Sequence, residues 1–350
     1  MREDSVVQIK RFSEVNLSDP FFDTLKSAYV EFDNWFQRKA QESAYVVYDD
    51  SGGIQGFLYI KEEHGPIRDI QPPLNAARVL KVGTFKVNPH NTKLGERFVK
   101  KIFDCALEWK VTHLYVTVFS EHEGLITLLE RYGFKRYGTK DSANGREDVF
   151  IKDFISLTGD IEFDYPIINA ARNKWLLSVK PEYHSRLFPD SILRTEDSKI
   201  INDISHTNSI HKIYIGRARD IPSMRQGDVL VIYRPAEEHL RKGYHSVATS
   251  LCVVEEVRPR NLFPSEQNFV DYAAGYSVFT EQELREWFKK PLYAIRMTYN
   301  VALPKRPNLV ALIQQAGLSP TEYWGLRQLT NQQFTAILTL GQVYEGVVIH

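Results

Sequence analysis

Lys93, Gly95 and Arg97 follow closely on the run VLKVGTFKV and lead into GERFVKKIFDCALEWK. That apolar, β-prone run stops at Pro89, passes through a polar turn and enters a helix-patterned stretch. Such an arrangement can hold an anion. The first N–H groups of a helix have no acceptor within it, and the helix dipole favours negative charge there. Gly95 lets the backbone approach a ligand without an intervening Cβ, and Lys93 and Arg97 add cations. A plain strand-to-helix connection has the same order of elements. Glu121, His122 and Glu123 are candidates for taking a proton from an amine, although acidic residues at a helix start also serve its dipole. In the second half, Lys180, Tyr183, Arg186, Arg217, Arg219 and Arg234 interleave cations with aromatic rings. Cations neutralise phosphates and rings stack on bases; the same types also make an ordinary solvated strand face.

These residues need elements to position them. VVQIKRF reads as a short strand. FFDTLKSAYVEFDNWFQRKAQ carries Phe22, Leu25, Tyr29, Phe32 and Phe36 at helical intervals, which predicts one helix. AYVVYDD and IQGFLYIKEE flank Asp50, Ser51, Gly52 and Gly53, a hairpin signal. Phe98, Ile102, Cys105 and Trp109 share a helix face. HLYVTVF is strand-like, EGLITLLERYGF is a short amphipathic helix that Gly133 can cap, and VFIKDF is a final strand. Residues 155–170 read as a junction. Beyond it come KWLLSVK, IHKIYIG, VLVIYR, YHSVATSLCVVEEVR and LYAIRMTYNVALP as strands. FTEQELREWFKK is a helix opening on a capping box, and PNLVALIQQAG and LTNQQFTAILTLG are terminal helical patterns. A strand-rich second half with peripheral helices predicts a small, partly open β-barrel.

At 350 residues the chain is long for one core, so two domains are expected. The formal net charge is zero, so nucleic-acid binding would rest on a local patch. Two cysteines, Cys105 and Cys252, suit a reducing, cytoplasmic setting and exclude a disulfide scaffold. No apolar stretch has the length of a membrane helix, so no membrane partner is expected. Gly-x-Ser-x-Gly, the phosphate-binding Gly-Lys-Ser/Thr loop, His-Glu-x-x-His and Cys-x-x-Cys are all missing. His206 and His211 lack ordinary metal spacing, so no metal is expected.

The order strand, polar Gly turn, helix, strand, short helix, Gly-Phe, strand resembles the GNAT N-acetyltransferase superfamily over about residues 5–154, with LYVTVFSEHEGLITLLERYGFKRYG as the second landmark. The resemblance implies that turn amides hold the pyrophosphate of acetyl-coenzyme A. The site would run through Phe85, Lys86, Val87, Thr92, Lys93, Leu94, Gly95, Glu96, Arg97 and Phe98, with the thioester carbonyl against N–H groups around Phe85 to Val87. Thr92 stands where the family usually has Gln or Arg, Arg97 where it has a small residue, and Leu129 where it often has a Tyr acid. Tyr132, one turn later, is the substitute candidate acid, with His122 as the second catalytic candidate.

Leu177, Ser178, Val179, Lys180, Pro181 and Tyr183, then Gly227, Asp228 and Tyr233, resemble the PUA-like barrels of ASCH and EVE type over about residues 172–300. That resemblance implies RNA binding or capture of a modified base. The expectation is an α+β chain: a mixed-sheet GNAT domain (1–156), a linker (157–171) and a small PUA-like β-barrel domain with helices (172–350). Its function would be acetyl-CoA-dependent N-acetyl transfer to an RNA-associated or other macromolecular amine, with tRNA or a nucleic-acid-bound protein as partner. A non-catalytic acyl-CoA sensor that binds RNA or a modified base is the alternative.

Overall fold

The computed structural model describes residues 7–88, 93–191 and 209–350 and divides into two compact units, Met1–Ile155 and Ser156–His350. Both are α+β.

The first unit runs β1 (Gln8–Arg11), α1 (Asp23–Ala28), α2 (Phe32–Arg38), β2 (Ser43–Tyr48), β3 (Ile54–His64), β4 (Arg78–Val87), α3 (Leu94–Glu108), β5 (His113–Val118), α4 (Glu123–Arg131), β6 (Lys135–Ser142) and β7 (Gly145–Asp153). Its seven strands lie in the order β1-β2-β3-β4-β5-β7-β6. Every neighbouring pair is antiparallel except β4 and β5, which are parallel. Parallel neighbours need a crossover, and α3 supplies it. Phe98, Val99, Ile102, Phe103 and Ala106 of α3 are buried. Near β2 and β3 an aromatic cluster forms, with Phe12 and Phe36 edge-on at 4.7 Å and Phe22 and Phe57 at 5.3 Å. Gly52 turns the β2–β3 hairpin at φ +84°, and Gly133 follows α4 at φ +82°.

The single helix expected over residues 21–41 is two short ones. Tyr29 leaves the helical region at φ −128°, ψ 103°, and Phe32 restarts it. The apolar spacing is kept across the break, so Phe22, Phe32 and Phe36 still reach one core.

The second unit runs α5 (Ile161–Asp164), β8 (Ile168–Asn169), β9 (Lys174–Ser178), α6 (Pro181–Leu187), β10 (His211–Gly216), β11 (Val229–Arg234), α7 (Lys242–His245), β12 (Val247–Pro259), α8 (Glu266–Ala274), α9 (Glu281–Phe288), β13 (Tyr293–Ala302), α10 (Leu309–Gln314), β14 (Leu326–Leu329), α11 (Asn331–Gly341) and β15 (Val348–Ile349). Six strands form one mixed sheet in the order β10-β13-β12-β11-β9-β14, with β9 and β11 parallel. Among the described residues no pairing joins β10 to β14, so the sheet is not closed, in keeping with the partly open barrel expected. The Gly227–Asp228 turn has Gly227 at φ +88°. Asp228 accepts from Trp175 Nε1 at 2.9 Å and Arg225 N at 3.0 Å, which ties the turn to β9. The capping box before α9 forms between Thr280 and Glu283.

Residues 157–171, expected as a linker, are built into this unit. Asp164 accepts from the N–H groups of Thr158 and Gly159, each at 2.8 Å. Tyr165 donates to the carbonyl of Tyr299 at 2.9 Å, and β8 pairs with β15.

Candidate functional site

In the first unit, β4 and β5 are paired only where Leu80, Lys81 and Val82 face Leu114, Tyr115 and Val116. Beyond that, β4 continues to Val87 along β3, and β5 continues to Val118 along β7. Two parallel strands that part in this way open a wedge in the sheet. A bulge marks the parting: Tyr59 faces Thr84 and Ile60 faces Val82, so Gly83 is the extra residue. A Cβ on Gly83 would lie 2.6 Å from the Tyr59 ring, so only glycine fits there. Asn88 donates its N–H to Gln55 O at 2.8 Å, across β3. Because successive N–H groups of a strand point to opposite sides, those of Phe85 and Val87 point away from β3, into the wedge. A cavity of about 280 Å³ occupies it.

The polar centre of this cavity is Glu147 of β7, only 5% exposed. Its Oε1 accepts from Tyr29 OH at 2.9 Å and from Thr117 Oγ1 at 3.1 Å. Burial, and then the Glu147 carboxylate, push the Tyr29 phenol far above its ordinary range, so Tyr29 stays protonated. The break between α1 and α2 is what brings Tyr29 here. At the rim, Asn144 Nδ2 donates to both Glu31 oxygens, at 2.9 and 3.0 Å, and holds that carboxyl below its usual range. His122 is the exposed N-cap residue of α4 and lines the cavity. Lys39, Lys61, Lys81 and Lys140 also reach the wall.

Of the residues expected from sequence, Phe85 lines the cavity, with its ring 5.7 Å from that of the buried Phe98. Lys86 turns elsewhere: its ammonium donates to Phe21 O and Thr24 Oγ1 and lies 4.8 Å over the Phe21 ring. Thr92 lies outside the described residues. Lys93 is the N-cap residue of α3, and Leu94 is buried. A Cβ on Gly95 would meet Leu128 Cδ2 at 2.9 Å, so this glycine also serves the close packing of α3 against α4. Glu96 pairs with Arg131 at 3.2 Å. Arg97 is 5% exposed. Tyr132 is wholly buried and lies outside the cavity lining, with its carbonyl accepting from Lys152 Nζ at 2.8 Å. The phenol expected as the acid at Tyr132 is thus enclosed in the core, away from the cavity whose wall carries Tyr29 and Glu147. Tyr29 was concealed in a helical pattern. Glu147 had one signal, a carboxylate in step with the apolar alternation of Val149 and Ile151.

In the second unit the structure brings Tyr183, Arg186 and Arg217 together. The Tyr183 ring lies 5.0 Å from Phe279, Phe279 lies 5.7 Å from Trp287, and the Arg217 guanidinium sits 5.5 Å over Trp287. Arg186 donates to Val278 O at 2.6 Å. Lys180 is exposed beside Glu182 at 3.6 Å, and Arg219 is exposed. Arg234 is 1% exposed and paired with Glu237 at 3.1 Å, which removes it from any surface set. A grouping not expected from sequence is His211, with Nδ1 2.8 Å from Glu255 and Nε2 3.6 Å from Glu162; Arg296 Nε lies 2.9 Å from Glu255.

No family model matches the chain, and no curated protein matches it. Among solved structures it is similar to the ASCH protein of Zymomonas mobilis, at 14% identity over 48% of this chain and 94% of that one, with a TM-score of 0.33. It is similar to a GNAT family acetyltransferase from Elizabethkingia anophelis with acetyl-CoA bound, at 11% identity over 43% and 99%, TM-score 0.31. It is also similar to the N-acetyltransferase PseH of Campylobacter jejuni in complex with acetyl coenzyme A, at 18% identity over 42% and 99%, TM-score 0.28.

Proposed function

We propose that the first unit transfers an acyl group from acyl-coenzyme A to an amine. The observation that carries this reading is the wedge, where the N–H groups of Phe85 and Val87 point away from β3 and Phe85 lines a cavity that also holds the buried Glu147 carboxylate. Acyl transfer needs donors for the carbonyl oxygen and a group that takes the amine proton. The coenzyme supplies the activated thioester. Phe85 and Val87 N–H groups polarise its carbonyl, and the first turn of α3 receives the diphosphate. Glu147, oriented by Tyr29 and Thr117, accepts the proton as nitrogen bonds to the acyl carbon. The coenzyme thiol, with a pKa near that of cysteine at about 8.5, leaves as thiolate without an enzyme acid. Calorimetric titration with acetyl-CoA, followed by thiol release with a panel of amines, tests the reading. Binding with amine-dependent thiol release is expected. Failure to bind even at low ionic strength, where the attraction of phosphates is least screened, overturns it.

A second reading concerns the second unit. Half-buried Tyr183, Phe279 and Trp287, with Arg217 over one ring and Lys180 exposed nearby in sequence, suit stacking of single-stranded nucleic-acid bases. Polarisation titrations with a short RNA should weaken with salt and weaken further in Trp287→Ala. Salt-independent or absent binding overturns this reading.

A further inference from the structure

Lys61 on β3 and Lys81 on β4 are direct register partners. Like charges placed directly opposite one another in a sheet destabilise it. Both side chains line the wedge cavity, as does Lys140 of β6. Two carboxylates support these three cations from outside the lining set. Glu63 lies 2.6 Å from Lys61 and 3.7 Å from Lys81, and it also accepts from Tyr115 OH. Asp69 lies 2.6 Å from Lys140. Glu42, paired with Lys39 at 2.7 Å, also acts on Lys61, so the four wall lysines, Lys39, Lys61, Lys81 and Lys140, outnumber Glu42, Glu63 and Asp69 by one positive charge. Lys81 is the most enclosed, with its side chain 15% exposed. Burial, together with the neighbouring Lys140 and Lys61, disfavours its charged form, while Glu63 favours it. The two carboxylates of the cavity wall do not serve this cluster. Glu147 is held by Tyr29 and Thr117, and Glu31 by Asn144.

We propose that Lys61, Lys81 and Lys140 form an anion subsite, so that the acceptor is a small amine carrying a carboxylate or phosphoryl group. The proposal rests on the acyl-transfer reading for the word acceptor, but the subsite itself does not depend on the coenzyme. An anionic oxygen placed between Lys61 and Lys81 relieves their repulsion and gains charge-assisted hydrogen bonds. The acceptor's amino group is then left to face Glu147. A cavity of about 280 Å³ suits a small molecule.

The test uses the full chain and three probes of similar size: 2-aminoethyl phosphate, β-alanine and the neutral ethanolamine. Each is titrated by calorimetry with and without free coenzyme A, then assayed for thiol release with acetyl-CoA. At least one anionic probe should bind about tenfold or more tightly than ethanolamine, equivalent to about 1.4 kcal/mol. Which anionic probe gains more separates a phosphoryl-bearing acceptor from a carboxylate-bearing one. Lys81→Met keeps the apolar stem and removes one member of the repelling pair. It should lose that preference while leaving acetyl-CoA affinity unchanged. If Lys81→Met does not fold, competition of inorganic phosphate against the preferred probe in the unsubstituted protein takes its place. Equal binding of anionic and neutral amines, no binding of any probe, or a preference indifferent to Lys81 or to phosphate overturns the subsite. Absence of acetyl-CoA binding with the anionic preference intact would overturn the acyl-transfer reading alone.

Discussion

At the residue scale the site is a pairing of Tyr29 with Glu147. Glu147→Gln keeps the size and the Thr117 contact but cannot take a proton. Turnover should fall about a hundredfold or more, with acetyl-CoA affinity unchanged by calorimetry; unaltered turnover would remove Glu147 from the chemistry. A second residue-scale prediction lies in the second unit. His184 is wholly buried, with Nε2 2.8 Å from Thr249 Oγ1. Burial first, and then Arg234 and Arg306, lower its pKa to about 3. A histidine depressed in the folded state stabilises the fold above its unfolded pKa of about 6.5. That contribution is lost as pH falls from there towards about 3. Thermal melts should show acid destabilisation across this window, and the slope should flatten in His184→Gln, which can still bond Thr249. Little of this was legible in sequence. Arg234 has the residue type of a phosphate ligand and is buried; Gly95 has the type of a ligand-facing glycine and also lies close against Leu128. Residue type records what a side chain can do, whereas burial decides which of those capacities it uses.

At the element scale, strand and helix periodicity located most of the first sheet, the crossover helix α3 and the short helix α4. It failed between residues 21 and 41, because two short helices around an extended Tyr29 preserve the apolar interval of one long helix. The divergence of β4 from β5 was not legible either, since it depends on register and on the Gly83 bulge rather than on composition. Packing of α3 on α4 gives the prediction for this scale. In Gly95→Ala, the helix propensity gained is about 1 kcal/mol, but the new methyl meets Leu128 Cδ2 at 2.9 Å. Set against an overpacking cost of about 1–3 kcal/mol, this gain leaves a net destabilisation of about 0–2 kcal/mol. Adding Leu128→Ala should recover part of it, and the double-mutant cycle should be clearly non-additive. Additive losses would place the strain elsewhere.

At the scale of the whole molecule, several phenols are held protonated. Burial is the leading cause at Tyr29, Tyr45, Tyr59, Tyr115 and Tyr272, and each lies well above its ordinary range; Tyr214 is pushed up to about 12. A phenol raised in the folded state adds stability that is complete below the unfolded pKa of about 10 and is lost progressively as pH rises from there towards the raised folded value. The melting temperature should fall increasingly steeply above about pH 10, while ultraviolet absorbance shows tyrosinate appearing together with unfolding. Early tyrosinate without loss of structure would contradict it. The two-part division of the chain was legible from length and texture, but the role of residues 157–171 was not, because Asp164 and Tyr165 tie that segment in through contacts distant in sequence.

The short parallel pairing of β4 with β5 has a further consequence. Among the described residues no strand pairs with the wedge-side amides of Phe85 and Val87, so their protons should trade rapidly with deuterated solvent. A bound thioester carbonyl would slow that exchange at these two positions, which makes this stretch of backbone a built-in gauge of cavity occupancy.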